Sequence, residues 1–229
     1  MESPLIVIPT LTASLVENCL NSLRNVKSPH EVVVVDNAGG VTFKNVIRGD
    51  DWSFSKSCNE GARWSEGDLV LLNDDIIAHD DFLLPMREIA SGDIGVVGAL
   101  LLYPSGLVQH AGASYNNGNP CHPHKGKHPA SVPYVYVTRE VELVTFACVY
   151  IRRECWEDLG GLDESYPLGY EDVDFCLRAR KKGWKIYYCA EARLTHLEHT
   201  TQKRRLKVCR EKSNESLELL RERWGCGSG

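Results

Sequence analysis

No apolar run in this 229-residue sequence approaches the ~20 residues that a membrane-spanning helix requires. No basic-plus-apolar leader precedes the first apolar run, which begins at Leu5. Excess charge is missing too: 26 Lys and Arg stand against 31 Asp and Glu, a net charge of -5. Such a balance argues against general electrostatic binding of nucleic acid. The one basic run, Lys203-Arg204-Arg205-Leu206-Lys207, reads as a solvated helix face, which leaves a nucleic-acid acceptor unsupported. Glycine-rich phosphate cradles are absent: there is no Gly-x-x-x-x-Gly-Lys-Ser/Thr, and no Gly-x-Gly-x-x-Gly follows the first strand. A Gly-x-Ser-x-Gly nucleophile elbow is lacking as well. Phosphates, if bound, must be held by a metal. The nine cysteines are odd in number and scattered. Cys19, Cys58, Cys148, Cys176 and Cys189 fall within predicted helices or strands, as buried free thiols do. The expectation is a reducing, cytoplasmic compartment with no integral membrane segment. The His-rich stretch Cys121-His128 fits no zinc spacing and reads as an exposed loop.

What is present is a regular alternation of short apolar runs and amphipathic segments. Leu5-Ile8, ended by Pro9, reads as a first strand, and Thr12 or Ser14 opens a helix to about Val26 with Leu15, Leu20 and Leu23 inward. Glu31-Asp36 and Val46-Arg48 are further strands, and Ser53 caps a helix to about Trp64. Asp68-Leu72, a helix from Asp81 to about Ala90, and the run Ile94-Tyr103 follow. This alternation predicts a parallel, doubly wound sheet over residues 1–103. Residues 104–201 are more mixed. Strands are expected at Leu107-Ala113, Val141-Ile151 (with a turn or bulge near its middle) and Trp184-Tyr188. Helices are expected from Arg153 to Gly160 and from Glu171 to about Lys182, and a Gly/Pro/His-rich loop spans Tyr115-Pro133. Residues 202–229 form a tail, helical to Trp224, exposed and open to a dimer contact.

Two acidic clusters in opposite halves carry the chemistry. Asn73-Asp74-Asp75 ends a buried strand, at the edge where open α/β sheets bind ligands. Asp75 is the metal-ligand candidate, since Mg2+ or Mn2+ takes hard oxygen ligands and fills its shell with substrate phosphates. Asn73 and Asp74 can orient a ribose or the ligated water, and Asp36, ending another strand at the same edge, can accept from a nucleobase or ribose. Glu171 and Asp172 open a helix whose positive N-terminus favours an ionised Asp172, ready to accept a proton. Asp174 and Arg178 are spaced for a structural i,i+4 ion pair. His196 can complete a metal shell or hold a phosphate. A metal acid and a proton-accepting acid together suit transfer of a sugar from a nucleotide donor. A sugar nucleotidyltransferase and a non-catalytic nucleotide-sugar or glycan-binding module are the other readings.

The ordered motifs Val35-Asp36-Asn37, Phe54-x-x-x-x-Asn59-x-Gly61, Leu72-Asn73-Asp74-Asp75, Thr145-Phe146-Ala147-Cys148, Leu159-Gly160-Gly161-Leu162-Asp163-Glu164 and Glu171-Asp172-Val173-Asp174, closed by His196, resemble the inverting glycosyltransferases of family 2. Within that family they look like the rhamnosyltransferase branch. The resemblance implies a GT-A fold: α/β, with a doubly wound, mainly parallel sheet, a smaller mixed acceptor-side region and a C-terminal helix. It implies Pro9, Thr10 and Asp36 at the nucleobase, Asn59 lining the donor pocket, Asp75 and His196 at the metal, and Asp172, with Glu171 beside it, as the base. The implied partners are a nucleoside-diphosphate sugar, Mn2+ or Mg2+, and a glycan, protein or small-molecule acceptor.

Overall fold

Short Val-, Leu- and Ile-rich runs build a sheet buried on both faces. The computed structural model describes residues 3–49, 53–116, 118–198 and 206–225, the side chains of 206–209 excepted. In the first part, β1 (Leu5–Thr10), α1 (Ala13–Ser22), β2 (Glu31–Asp36), β3 (Val46–Arg48), α2 (Phe54–Ala62) and β4 (Leu69–Leu72) alternate as the pattern demands. Strand β1 pairs in parallel with β2 and β4, and β2 with β3. Next come β5 (Ile76–Ala78), α3 (Leu83–Ile89), β6 (Ile94–Leu102), β7 (Val108–His110), β8 (Ser114–Asn116) and β9 (Asn119–Cys121). The chain continues through β10 (Arg139–Glu140), β11 (Cys148–Ile151), α4 (Arg153–Leu159), α5 (Glu171–Lys181), β12 (Lys185–His196) and α6 (Leu206–Trp224).

The main sheet runs β10-β12-β6-β11-β4-β1-β2-β3, with β5 added on β12 and β7 on β6. Strand alternation sends Leu5, Val7, Val33, Val35, Leu69 and Leu71 to one face, under α2, α4, α5 and α6. Ile6, Ile8, Val34, Val70 and Leu72 go to the other, under α1 and α3. Helix α2 lies so close to the sheet that a Cβ on Gly61 would stand 2.3 Å from Cγ1 of Val7. Gly61 is therefore a packing residue.

Several expectations are corrected. Strand β1 continues through Pro9 and Thr10. The Leu5 N–H points toward Asp68 on the β4 side, and by alternation residue 9 faces that side too, where pairing stops at Val7; no ladder bond is lost to the proline. In α1 the buried positions are Val16 and Cys19, with Leu23 in the following 3-10 turn, while Leu15 and Leu20 are half-buried. Strand β6 does not extend the parallel half directly, because antiparallel β11 is inserted between it and β4. The run expected as one strand from Val141 to Ile151 is strand only from Cys148. At the start of the loop expected over Tyr115-Pro133, β8 and β9 pair antiparallel. Strand β12 runs on to His196, so that histidine ends the strand rather than following it. Helix α6 is not an exposed tail: Leu220 is fully buried, and Leu217, Leu219 and Trp224 pack with it on the core. The basic run 203–207 lies outside the described side chains. Cys19, Cys58, Cys148, Cys155, Cys176 and Cys189 are buried free thiols. Among the described residues no helix is long and apolar enough to cross a membrane.

Candidate active site

Strand β4 delivers Asn73, Asp74 and Asp75 to the edge of the sheet where β1 also ends. The Thr10 hydroxyl donates to Asp74 Oδ2 at 2.6 Å. Burial is the main force on Asp74 and pushes its carboxyl up to about 6; the Thr10 bond opposes this and the neighbouring Asp75 charge adds to it. Asp75 is 7% exposed, and its Oδ1 lies 3.0 Å from His196 Nε2 at the end of β12. The Leu197 N–H donates to the Asp75 carbonyl at 3.0 Å, fastening the strand ends together.

Behind His196, its Nδ1 meets Gln109 Oε1 of β7 at 2.7 Å. With the amide oxygen facing it, Nδ1 is the ring nitrogen that carries hydrogen, so Nε2 is turned toward Asp75. A histidine nitrogen and a carboxylate oxygen 3.0 Å apart are joined by a proton or by a shared cation. An oriented His backed by an amide oxygen, beside two crowded carboxylates, is a donor set that fits a hard or borderline divalent cation. Among the described residues no group of three or more His, Cys, Asp or Glu could hold a metal alone. The pair would therefore need oxygens from a substrate, as Mg2+ sites commonly do.

The second acidic cluster opens α5. Tyr170, just before it, adopts a left-handed conformation at φ 69°, a strained setting for a side-chain-bearing residue and one found often at functional sites. Glu171 is 8% exposed, and its charge reaches the buried Cys58 thiol on α2. The helix N-terminus was expected to keep Asp172 ionised, yet burial raises both carboxyls. Glu171 is raised by burial and by the Asp172 charge. Asp172 is also raised by burial, but the Val173 and Phe146 amides and the Thr145 hydroxyl oppose it. Of the two, Asp172 is the better stabilised anion.

The segment before β11 bridges the clusters. The Asn73 N–H donates to the Ala147 carbonyl at 2.9 Å, and the Cys176 thiol of α5 to the Val144 carbonyl at 3.8 Å. Val144 packs directly on Gly98 of β6, where a Cβ would come within 2.4 Å of its own. Residues 144–147 therefore run between the Asp75 strand and the Asp172 helix.

Two expected donor residues are placed differently. Asp36 is 1% exposed, and its two oxygens accept from the amides of Ala38, Gly39 and Val41 and from the Arg48 guanidinium. Four donors fill a carboxylate's capacity, so the side chain builds the turn after β2. Asn59 exchanges hydrogen bonds with the Leu162 backbone at 2.9 Å in both directions and donates to Glu164 at 2.8 Å. It ties α2 to the loop after α4. Gln109, His110 and the Thr145 hydroxyl had no expected role. For Gln109 and His110 the sequence signal was a polar pair inside a run expected as a strand, and for Thr145 its place in the motif Thr145-Phe146-Ala147-Cys148.

Comparison with known proteins identifies the family and the fold. The profile described as "Glycosyltransferase like family 2" matches residues 34–227. An uncharacterized protein, y4gI of Sinorhizobium fredii, is 31% identical over 225 residues, covering 86% of this chain and 24% of that protein. The O-antigen biosynthesis protein RfbC of Myxococcus xanthus is 35% identical over 153 residues, covering 63% and 12%. The chain thus spans about a quarter or less of the curated relatives it matches. Among solved structures, the mannosyltransferase PcManGT of Pyrobaculum calidifontis, in complex with GDP-Man and Mn2+, superposes with a TM-score of 0.65 at 15% identity, covering 98% of this chain and 66% of that one. GalNAc-T7 with UDP, GalNAc and Mn2+ superposes at 0.68 and 14% identity, covering 85% and 43%. These structural likenesses establish a GT-A fold, and the profile match establishes the family: the chain belongs to the family 2-like glycosyltransferases.

Proposed function

We propose that this chain is a metal-dependent, inverting glycosyltransferase that moves a sugar from a nucleoside-diphosphate donor to a hydroxyl of a glycan, protein or small-molecule acceptor. The observation that carries the reading is the bridge of residues 144–147 between Asp75 with His196 on one side and Asp172 on the other. That bridge supports reading a cation-type pair and a proton-accepting carboxylate as parts of one site. The GDP-Man and Mn2+ of one structural neighbour, and the UDP, GalNAc and Mn2+ of the other, support the donor class.

Asp75 and His196 would hold Mn2+ or Mg2+, whose charge stabilises a departing nucleoside diphosphate. Thr10 and Asp74, with Pro9 and Asn73 beside them, would bind the nucleoside side of the donor. Asp36 would shape the base-binding turn through its bond network. Asp172 would take the proton of the acceptor hydroxyl as that oxygen forms its bond to the anomeric carbon and the carbon–diphosphate bond breaks. One displacement inverts the anomeric centre. Glu171, raised by burial and by the Asp172 charge, would hold its own proton and leave its neighbour the anion.

The test is calorimetric titration with UDP, TDP and GDP, with Mn2+ and with EDTA. One nucleotide should bind in a metal-dependent way to the native protein and to Asp172→Asn, and not to Asp75→Ala. Failure of all three nucleotides to bind with either additive would overturn the reading and favour a module without a donor site.

A further inference from the structure

We propose that His110 is a positioning residue for Asp172, acting through the backbone of Thr145. The inference rests on the reading of Asp172 as the base. His110 ends β7 and is 2% exposed. Its Nε2 accepts two main-chain hydrogen bonds, from Gly112 at 3.2 Å and from Thr145 at 3.4 Å. A nitrogen that accepts carries no hydrogen, so the ring proton is on Nδ1. That proton meets His122 Nδ1 at 3.1 Å, with the two rings edge to face. His122 lies on the exposed loop after β9. A chain of contacts thus runs from a surface loop through a buried imidazole to the residue whose hydroxyl faces Asp172.

Histidine suits this position for a specific reason. Only a neutral imidazole offers an acceptor at its far nitrogen and a donor at its near one on a rigid ring. Burial, and the neighbouring His122, Arg139 and Lys125, hold His110 in that neutral form. Thr145 needs such an anchor because residues 144–146 are not part of a strand. The Thr145 N–H is donated to the imidazole rather than to a neighbouring strand.

Asn and Gln separate the two ends of the ring. Gln can present an oxygen near the Nε2 position and keep the Thr145 bond. Asn reaches only the Nδ1 position and keeps the His122 contact alone. The first readout needs no substrate: in 15N-histidine-labelled protein, His110 should show the Nδ1–H tautomer, and an Nε2–H tautomer would overturn the proposal. The second is release of nucleoside diphosphate from UDP-, TDP- and GDP-sugars with water as acceptor. His110→Asn and Thr145→Val should each lower kcat on the order of 10- to 100-fold, the scale of a misplaced catalytic group, with donor KM unchanged. His110→Gln should recover most of the loss.

The Asn and Val losses should not multiply in the double variant, because both act on one bond chain. Multiplying losses, or an equal loss for Gln and Asn, would refute the chain of contacts. Full turnover in Asp172→Asn would instead sink the base assignment itself. Loss in Asp172→Asn with none in His110→Asn or Thr145→Val would sink this inference alone. Should His110→Asn fail to fold, Thr145→Val and the tautomer still decide.

Discussion

Asp172 and Asp174 share the first turn of α5, and replacing each by Ala should break different things. The Asp174 carboxylate is 1% exposed as a residue and accepts from Arg178 Nε at 2.6 Å, Trp224 Nε1 at 2.9 Å and the Tyr166 hydroxyl at 3.3 Å. The Arg178 side chain is 24% exposed, and its other partners are the carbonyls of Leu159 and Gly161. Asp174→Ala would leave that guanidinium largely buried without its counter-charge. Breaking a buried pair from one side costs about 3–5 kcal/mol, which for a chain of this size lowers Tm by roughly 10 °C. Among the described residues Asp172 makes no ion pair of this kind, and burial raises it. Removing it should change stability by less than about 1 kcal/mol in either direction, since a functional site carries strained groups. Its cost falls on turnover, on the order of 100- to 10,000-fold for a lost general base. Thermal and urea unfolding beside a donor-turnover assay would separate the two. A loss below about 1 kcal/mol for Asp174→Ala, the value of a surface pair, would refute this account of the helix.

Two other outcomes are expected. Gly61→Val should cost about 1–3 kcal/mol through overpacking, because its Cβ would meet Val7 at 2.3 Å and Val35 at 3.2 Å; urea midpoints no lower than the native one would show that α2 can lift off the sheet freely. Glu171 is raised from an ordinary value of 4.5, so the folded state binds more protons than the unfolded chain. Stability should therefore fall as pH rises from about 4.5 toward the raised folded value. Glu171→Gln should flatten that fall, and parallel native and variant curves would contradict the burial argument.

The half of the sheet buried on both faces was readable because its strands are near-continuous apolar runs. The bounds expected for β2 and β3 are those observed. The second half was not, because its elements depend on neighbours. Val141–Ile151 looks like one strand, yet residues 144–147 leave the ladder to pass under the acids. Strand β12 looked short because the Ala190-Glu191-Ala192-Arg193 stretch, where its register with β6 shifts, has no apolar run. Asp36 and Asp75 both end buried strands, and composition could not separate them. The difference is Arg48, which β3 brings to Asp36, and His196, which β12 brings to Asp75. Gln109 and His110 gain meaning only once β7 is known to lie on β6, beside β12.

Because β11 runs antiparallel to β4, the Asn73–Ala147 bond is one more rung beyond the last paired residues, Leu72 and Cys148. The spacing between the two acidic clusters is therefore inherited from a ladder at the centre of the sheet rather than from loops. Motions that would pull Asp75 away from residues 144–147 must first unzip that rung, so the Asn73 amide should exchange its hydrogen almost as slowly as the sheet beneath it. The acidic cluster after β4 is thus held by the same kind of bond that keeps the sheet folded.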